Sequence, residues 1–177
     1  VKRVFFDTEF NAFITSPKLI SIGMIDETGT RTFYAELSDT YEPSDCSEFV
    51  REIVLPLLNG GEALMSLREL RGRLKDWLES FGEPVTLATD SVAWDWLQIQ
   101  NLFPSPKDWP APLDPHPLRL NMNYLNDFDR FEEAIERAFA GGLRRHHALD
   151  DARANLAGWK AAGGDIETKV APTRFSV

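Results

Sequence analysis

Three β-prone runs lie within the first 36 residues, and every fold open to the chain must be built on them. Val4-Phe5-Phe6 is the first, Leu19-Ile20-Ser21-Ile22-Gly23-Met24-Ile25 the second and Arg31-Thr32-Phe33-Tyr34-Ala35-Glu36 the third. Asp26-Glu27-Thr28-Gly29 is a turn signal between the last two. Strands joined by short connections predict an antiparallel meander. Helical spacing then takes over, with apolar residues in phase over Cys46–Leu58 and Ser66–Phe81. Val85-Thr86-Leu87-Ala88-Thr89 follows as a compact apolar run of the kind found in buried parallel strands. Helices are expected over Trp94–Phe103, Phe128–Ala140 and Ala148–Ala162, the last two stopped by Gly141-Gly142 and Gly163-Gly164. Residues 104–117 contain six prolines and predict an extended loop. The fold class is α/β, a mixed sheet of antiparallel meander plus parallel strands flanked by helices. No repeat or linker divides the chain, so one domain is expected over residues 1–165, with 166–177 an aperiodic tail.

Composition narrows the class further. The 177 residues are 43% apolar and 27% charged, which suits a folded globular chain and not a disordered one. Cys46 is the lone cysteine, so neither an internal disulfide nor a cysteine-based zinc site can form. No run approaches the roughly 20 apolar residues of a membrane helix, and no secretory signal precedes Val4. A cytoplasmic location with no membrane partner is the expectation. Acidic residues number 28 against 19 lysines and arginines, a net charge of -9. That balance argues against gripping a polyanion by bulk electrostatics, but acids are also ligands for cations.

Three places concentrate chemistry. Asp7 and Glu9 lie two apart at the end of the first strand, so both project to one face. Their mutual repulsion is relieved by a divalent cation between them, and oxygen-only ligands suit Mg²⁺ or Mn²⁺. The plain structural alternative is a solvated strand end. Asp95 sits between Trp94 and Trp96, just past the buried strand, where ligands bind in α/β sheets. A helix-entry acid would look the same, and Asp90 competes with it on spacing. The third place is Arg144-Arg145-His146-His147-Ala148-Leu149-Asp150-Asp151 at the start of the last helix. A histidine near a metal suits general-base chemistry at neutral pH. Adjacent histidines and adjacent aspartates leave His146 or His147, and Asp150 or Asp151, open on spacing alone.

In this order the three motifs resemble the DEDDh 3′-5′ exonucleases of the RNase H-like superfamily, over about residues 4–162. The matching residues are Asp7 and Glu9, then Asp95, then His146 and Asp151, with Ala148 as the small residue inside the third motif. Phe5-Phe6-Asp7-Thr8-Glu9-Phe10, Leu19-Ile20-Ser21-Ile22-Gly23, Ala93-Trp94-Asp95 and Leu102-Phe103 are similar to the bacterial RNase AS-like exoribonuclease branch. Ser91 stands where many DEDDh enzymes have asparagine, a departure from the proofreading and RNase T-type pattern.

The resemblance implies two divalent cations, Mg²⁺ with Mn²⁺ able to substitute, held by Asp7, Glu9, Asp95 and Asp151. It implies His146 as general base and release of nucleoside 5′-monophosphates from single-stranded RNA 3′ ends, with adenylate-rich ends among the candidates. Phe10 and Asn11 would border the terminal nucleotide. Phe10 or Phe13 is a candidate for stacking on a base, Leu19 for packing against it, and Arg144 and Arg145 for phosphate contacts. A homodimer is the family expectation. The rival readings are a DNA exonuclease of the same family, an RNase H-like endonuclease, and a catalytically silent nucleic-acid-binding adaptor. The charge is unevenly spread: the first 50 residues hold nine acids and four basic residues, while residues 137–153 hold four arginines and two aspartates. An enzyme that holds a few terminal nucleotides through metals is compatible with a net acidic chain.

Overall fold

Strand β1 (Lys2–Phe10) is apolar on both faces in its first half, as a central strand must be. Val4 and Phe6 point one way, into a core shared with Leu70, Leu74 and Ile99; Phe5 points the other way, against Phe131, Ala152 and Leu156. The structure, a computed structural model, describes residues 1–165. The expected tail 166–177 lies outside the described residues.

The meander forms as expected. Strand β2 (Leu19–Asp26) pairs antiparallel with β1, and β3 (Thr32–Leu37) pairs antiparallel with β2. Strand β5 (Val85–Thr89) lies parallel to β1 on its other side. Two short strands were not legible in the sequence: β4 (Leu64–Met65), parallel to β3, and β6 (Leu118–Arg119), parallel to β5. The six-stranded order is β4-β3-β2-β1-β5-β6. Helices α1 (Leu67–Glu79) and α2 (Val92–Leu102) pack on one face; α3 (Phe128–Ala140) and α4 (Ala148–Ala161) pack on the other. No helix among the described residues is long and apolar enough to cross a membrane.

Two expectations are sharpened. The helix expected over Cys46–Leu58 forms over residues 48–57 but is irregular, π-type at Val50–Val54 and 3₁₀ at Leu55–Leu57, and a separate 3₁₀ turn at Pro43–Asp45 precedes it. Pro56 has no N–H to continue an α-helical ladder, and the Leu55 N–H reaches back five residues to the Val50 carbonyl. The proline-rich segment is a loop, as expected, but one tied to the sheet. The Val85 N–H donates to the Pro112 carbonyl at 2.8 Å, and the Asp114 N–H donates to the Val85 carbonyl at 2.8 Å. The segment thereby covers the edge of β5, which would otherwise expose unpaired backbone groups.

The close seating of α4 on the sheet depends on Gly23. A Cβ there would lie 2.2 Å from the Leu149 backbone nitrogen. Gly23 pairs with Asp7 across β1 and β2, so this contact brings the start of α4 down beside the carboxylate end of β1.

Candidate active site

Asp7 and Glu9 leave β1 on the face covered by α4. Just beyond Glu9 the pairing with β2 shifts register, ending the regular ladder at the site. Asp151 comes from the first turn of α4, and His146 from the residue pair before it. Glu9, His146 and Asp151 bring one ligand atom each to within 4.8 Å of one another. Asp7, Asp90 and Asp95 form a second such group. All of these except Asp90 line the floor of a cavity of about 450 Å³: Asp7, Glu9, Asp95, His146 and Asp151. Ser91 lines it too.

Each side chain has its own support. Asp95 is buried, and its Oδ1 accepts from the Thr8 N–H at 3.2 Å and the Thr8 hydroxyl at 2.7 Å; the Thr89 hydroxyl donates to Oδ2. Asp90 is exposed at the end of β5 and accepts from Asn155 Nδ2 at 3.1 Å. Spacing left Asp90 open; the tertiary structure brings it beside Asp7 and Asp95. His146 has φ +67°, a backbone conformation uncommon outside glycine, and its N–H donates to Asp151 Oδ2 at 2.8 Å.

Electrostatically the floor is uncompensated. None of the five carboxylates joins an ion pair among the described residues. Burial, then repulsion from Asp95 and Glu9, pushes Asp7 well above the usual carboxylate range. Burial and the charges of Asp151 and Asp95 push Glu9 up to about 8. Burial raises Asp95 to about 7 against the lowering bonds from Thr8 and Thr89. It raises Asp151 to about 7 against the lowering bond from the His146 N–H. Burial, and then Arg145, hold His146 below its ordinary value, which favours the neutral imidazole that can accept a proton. A donor set of crowded carboxylate oxygens with no ion-paired base among the described residues fits hard divalent cations.

The walls are aromatic. Phe10 stacks on Trp94 at 5.6 Å, and Phe13 meets both rings edge-on. Phe13 is 74% exposed. Opposite, Phe49 is 49% exposed and sets its ring against His146 at 5.0 Å. Sequence spacing places Phe49 only as one of the apolar residues in phase over Cys46–Leu58, with no sign of a site. Pro56, seven residues on in the same run, was the available signal that the helix is irregular.

Other expected site residues lie elsewhere. Asn11 is buried, with Oδ1 accepting from the Lys18 N–H at 2.8 Å and Nδ2 donating to the Asp45 carbonyl at 3.1 Å, so it ties the 11–18 loop together. Leu19 is part of the core beneath α1 and α2. Arg145 pairs with Glu136 at 2.8 Å and lies over the Phe139 ring. Arg144 is bonded to Asp150 at 2.7 Å. His147 is buried and stacked on Tyr34, so it and Asp150 do not line the cavity.

No family model matches the chain. The chain is similar to 3′-5′ exoribonucleases from two strains of Mycobacterium tuberculosis, each 35% identical over 98 residues. The match covers 54% of this chain and 54% of each relative, so the chain spans about half the length of the curated relatives it matches.

Proposed function

We propose that the protein is a metal-dependent 3′-5′ exoribonuclease of the DEDDh type, RNase AS-like, removing nucleoside 5′-monophosphates from single-stranded RNA 3′ ends. The observation that carries this reading is the cavity floor. Four carboxylates, Asp7, Glu9, Asp95 and Asp151, and His146 converge there, with Asp90 beside Asp7 and Asp95 and, among the described residues, no basic side chain in an ion pair with any of the carboxylates. The similarity to 3′-5′ exoribonucleases supports the direction of attack and RNA as the substrate.

In this reading Asp7, Glu9, Asp95 and Asp151 would hold two divalent cations, Mg²⁺ by preference with Mn²⁺ as a substitute, and Asp90 would offer a further oxygen donor beside Asp7 and Asp95. When bound, such a cation pair polarises an attacking water and stabilises the leaving 3′-oxygen. The residues of the chain do the rest. The His146 imidazole accepts the proton of the attacking water. Thr8 and Thr89 fix both oxygens of Asp95 in place. Phe10, Phe13 and Phe49 present aromatic faces to nucleobases, a sequence-tolerant way to hold a single strand. The net charge of -9 then limits how RNA is held: by a few terminal nucleotides at the site, not along a basic track.

The test uses RNA and DNA oligonucleotides labelled at either end, with tails of several compositions, in Mg²⁺. Mononucleotides from the 3′ end of RNA, lost in chelator and in Asp7→Ala and Asp95→Ala, are expected. Internal fragments from a circular RNA would overturn the reading in favour of an endonuclease. Binding without turnover would favour the silent adaptor.

A further inference from the structure

Behind the His146–Asp151 edge of the cavity lies a second polar cluster that the proposed hydrolysis does not use. Arg144 is its centre. Its Nε donates to Asp150 Oδ2 at 2.7 Å, its Nη1 to Asn59 Oδ1 at 3.0 Å, and its Nη2 lies 2.9 Å from His147 Nε2. Since guanidinium only donates, Nε2 is the acceptor and the His147 proton sits on Nδ1. That Nδ1 is buried with no partner at hydrogen-bond distance among the described residues; it faces Asp150 Oδ2 at 3.7 Å, and the ring stacks on Tyr34 at 4.7 Å. The Tyr34 hydroxyl donates to Glu36, and the buried Glu36 carboxylate accepts the backbone N–H groups of Asn59 and Gly60 at 2.6 and 2.8 Å. Asp150 is completed by Arg153 at 2.8 Å.

These bonds join two parts of the cavity that are distant in sequence. One is the start of α4. The other is the irregular 48–57 segment, which carries Phe49 and ends just before Asn59. His146 lies between them, its backbone in the left-handed region and its ring edge-on to Phe49. A side chain persists in that conformation only where its surroundings over-determine it.

We propose that Arg144 is a positioning residue: its guanidinium ties the start of α4 to the Phe49 wall and so sets the orientation of the His146 imidazole. The proposal rests on the exoribonuclease reading for His146's role. It replaces the expectation that Arg144 contacts phosphate, because three of its nitrogens are already spent on protein partners. The planar fork is what the site needs, and lysine cannot reproduce it.

The experiment measures kcat and KM for a 3′-labelled oligoribonucleotide in saturating Mg²⁺ across a KCl series, for the wild type, Arg144→Lys and Arg144→Ala. Both variants should lose about tenfold or more in kcat, with KM nearly unchanged. The salt slope of kcat/KM should match the wild type, and guanidinium ion should restore part of the activity of Arg144→Ala alone. An unchanged kcat, or a raised KM with a salt slope reduced by about one, overturns the proposal; the latter would make Arg144 a phosphate contact. If Arg144→Ala does not fold, Arg144→Lys carries the test. A wild type that releases no nucleotide refutes the exoribonuclease reading instead. Arg144 is then judged on protein with isotope-labelled histidine: His146 ring resonances that move in Arg144→Lys at an unchanged melting temperature support the positioning role, and unmoved resonances overturn it.

Discussion

Stripping divalent cations and raising the pH should destabilise this protein, the reverse of what a well-paired set of carboxylates would do. The sign follows from Glu9, Asp95 and Asp151. Each binds its proton more tightly in the folded chain, at about 8, 7 and 7, than in the unfolded chain, near 4. The folded state therefore holds more protons across that window, and stability falls as pH rises from about 4 to about 8, levelling above it. At about 1.4 kcal/mol per pKa unit, a rise such as that of Glu9, from 4.5 to about 8, amounts to a few kcal/mol, shared with Asp151 and Asp95, whose charges help cause it. A whole domain is stable by only about 5–15 kcal/mol. A divalent cation at about 100 times its dissociation constant returns about 2.7 kcal/mol, or about 5–10 °C in melting temperature for a domain of this size. The assay is a set of melting curves in chelator from pH 5 to 9, repeated with Mg²⁺ and with Mn²⁺. Asp7→Asn removes one of the mutually repelling acids. It should raise the metal-free melting temperature at pH 8 and abolish the metal response. A metal-free melting temperature that is flat or rises between pH 5 and 8, or an Asp7→Asn variant that melts lower, would refute the electrostatic argument.

Other perturbations test single parts of the site. His146→Ala should lower kcat by about 10²–10⁴-fold while the Mg²⁺-induced rise in melting temperature persists; loss of the metal shift would mean that His146 is a ligand and not a base. Phe49→Ala should weaken substrate binding by about 1–3 kcal/mol, read as a higher KM with little change in metal affinity. Asp90→Asn should raise the Mg²⁺ concentration needed for half-maximal activity without lowering the melting temperature, because Asp90 is exposed; an unchanged Mg²⁺ requirement removes it from the donor set. Gly23→Ala, whose Cβ would sit 2.2 Å from the Leu149 nitrogen, should cost about 3 kcal/mol or more in urea unfolding, and a cost below about 0.5 kcal/mol would show that α4 is not seated there.

The central architecture was readable because its signals are local. A strand buried on both faces must be apolar throughout, and Val4-Phe5-Phe6 and Val85–Thr89 are. A helix packed on a sheet must carry a stripe, and Leu70, Leu74 and Leu78 form one. Apolar spacing correctly marked residues 48–57 as helical, but not that the run is π-type and then 3₁₀, because spacing does not register that Pro56 lacks the N–H an α-helical ladder needs. The strands β4 and β6 were invisible because two residues carry no periodicity, and their pairing is decided by partners far along the chain.

The residue types of the site were likewise written in the chain, down to D-x-E on one strand face, since alternation follows from backbone geometry. What spacing alone left open was the choice between neighbours, which only the family resemblance made. The fold separates His146 from His147 and Asp151 from Asp150: one of each lines the cavity, and the others turn into the Arg144 cluster. It also carries Asp90 to Asp7, which pairing by spacing could not do, because that meeting depends on β5 lying parallel to β1. Chemistry is a property of side chains and is legible in one dimension. Proximity is a property of packing, and here a glycine on β2 that lets a helix descend onto the sheet decides which side chains meet.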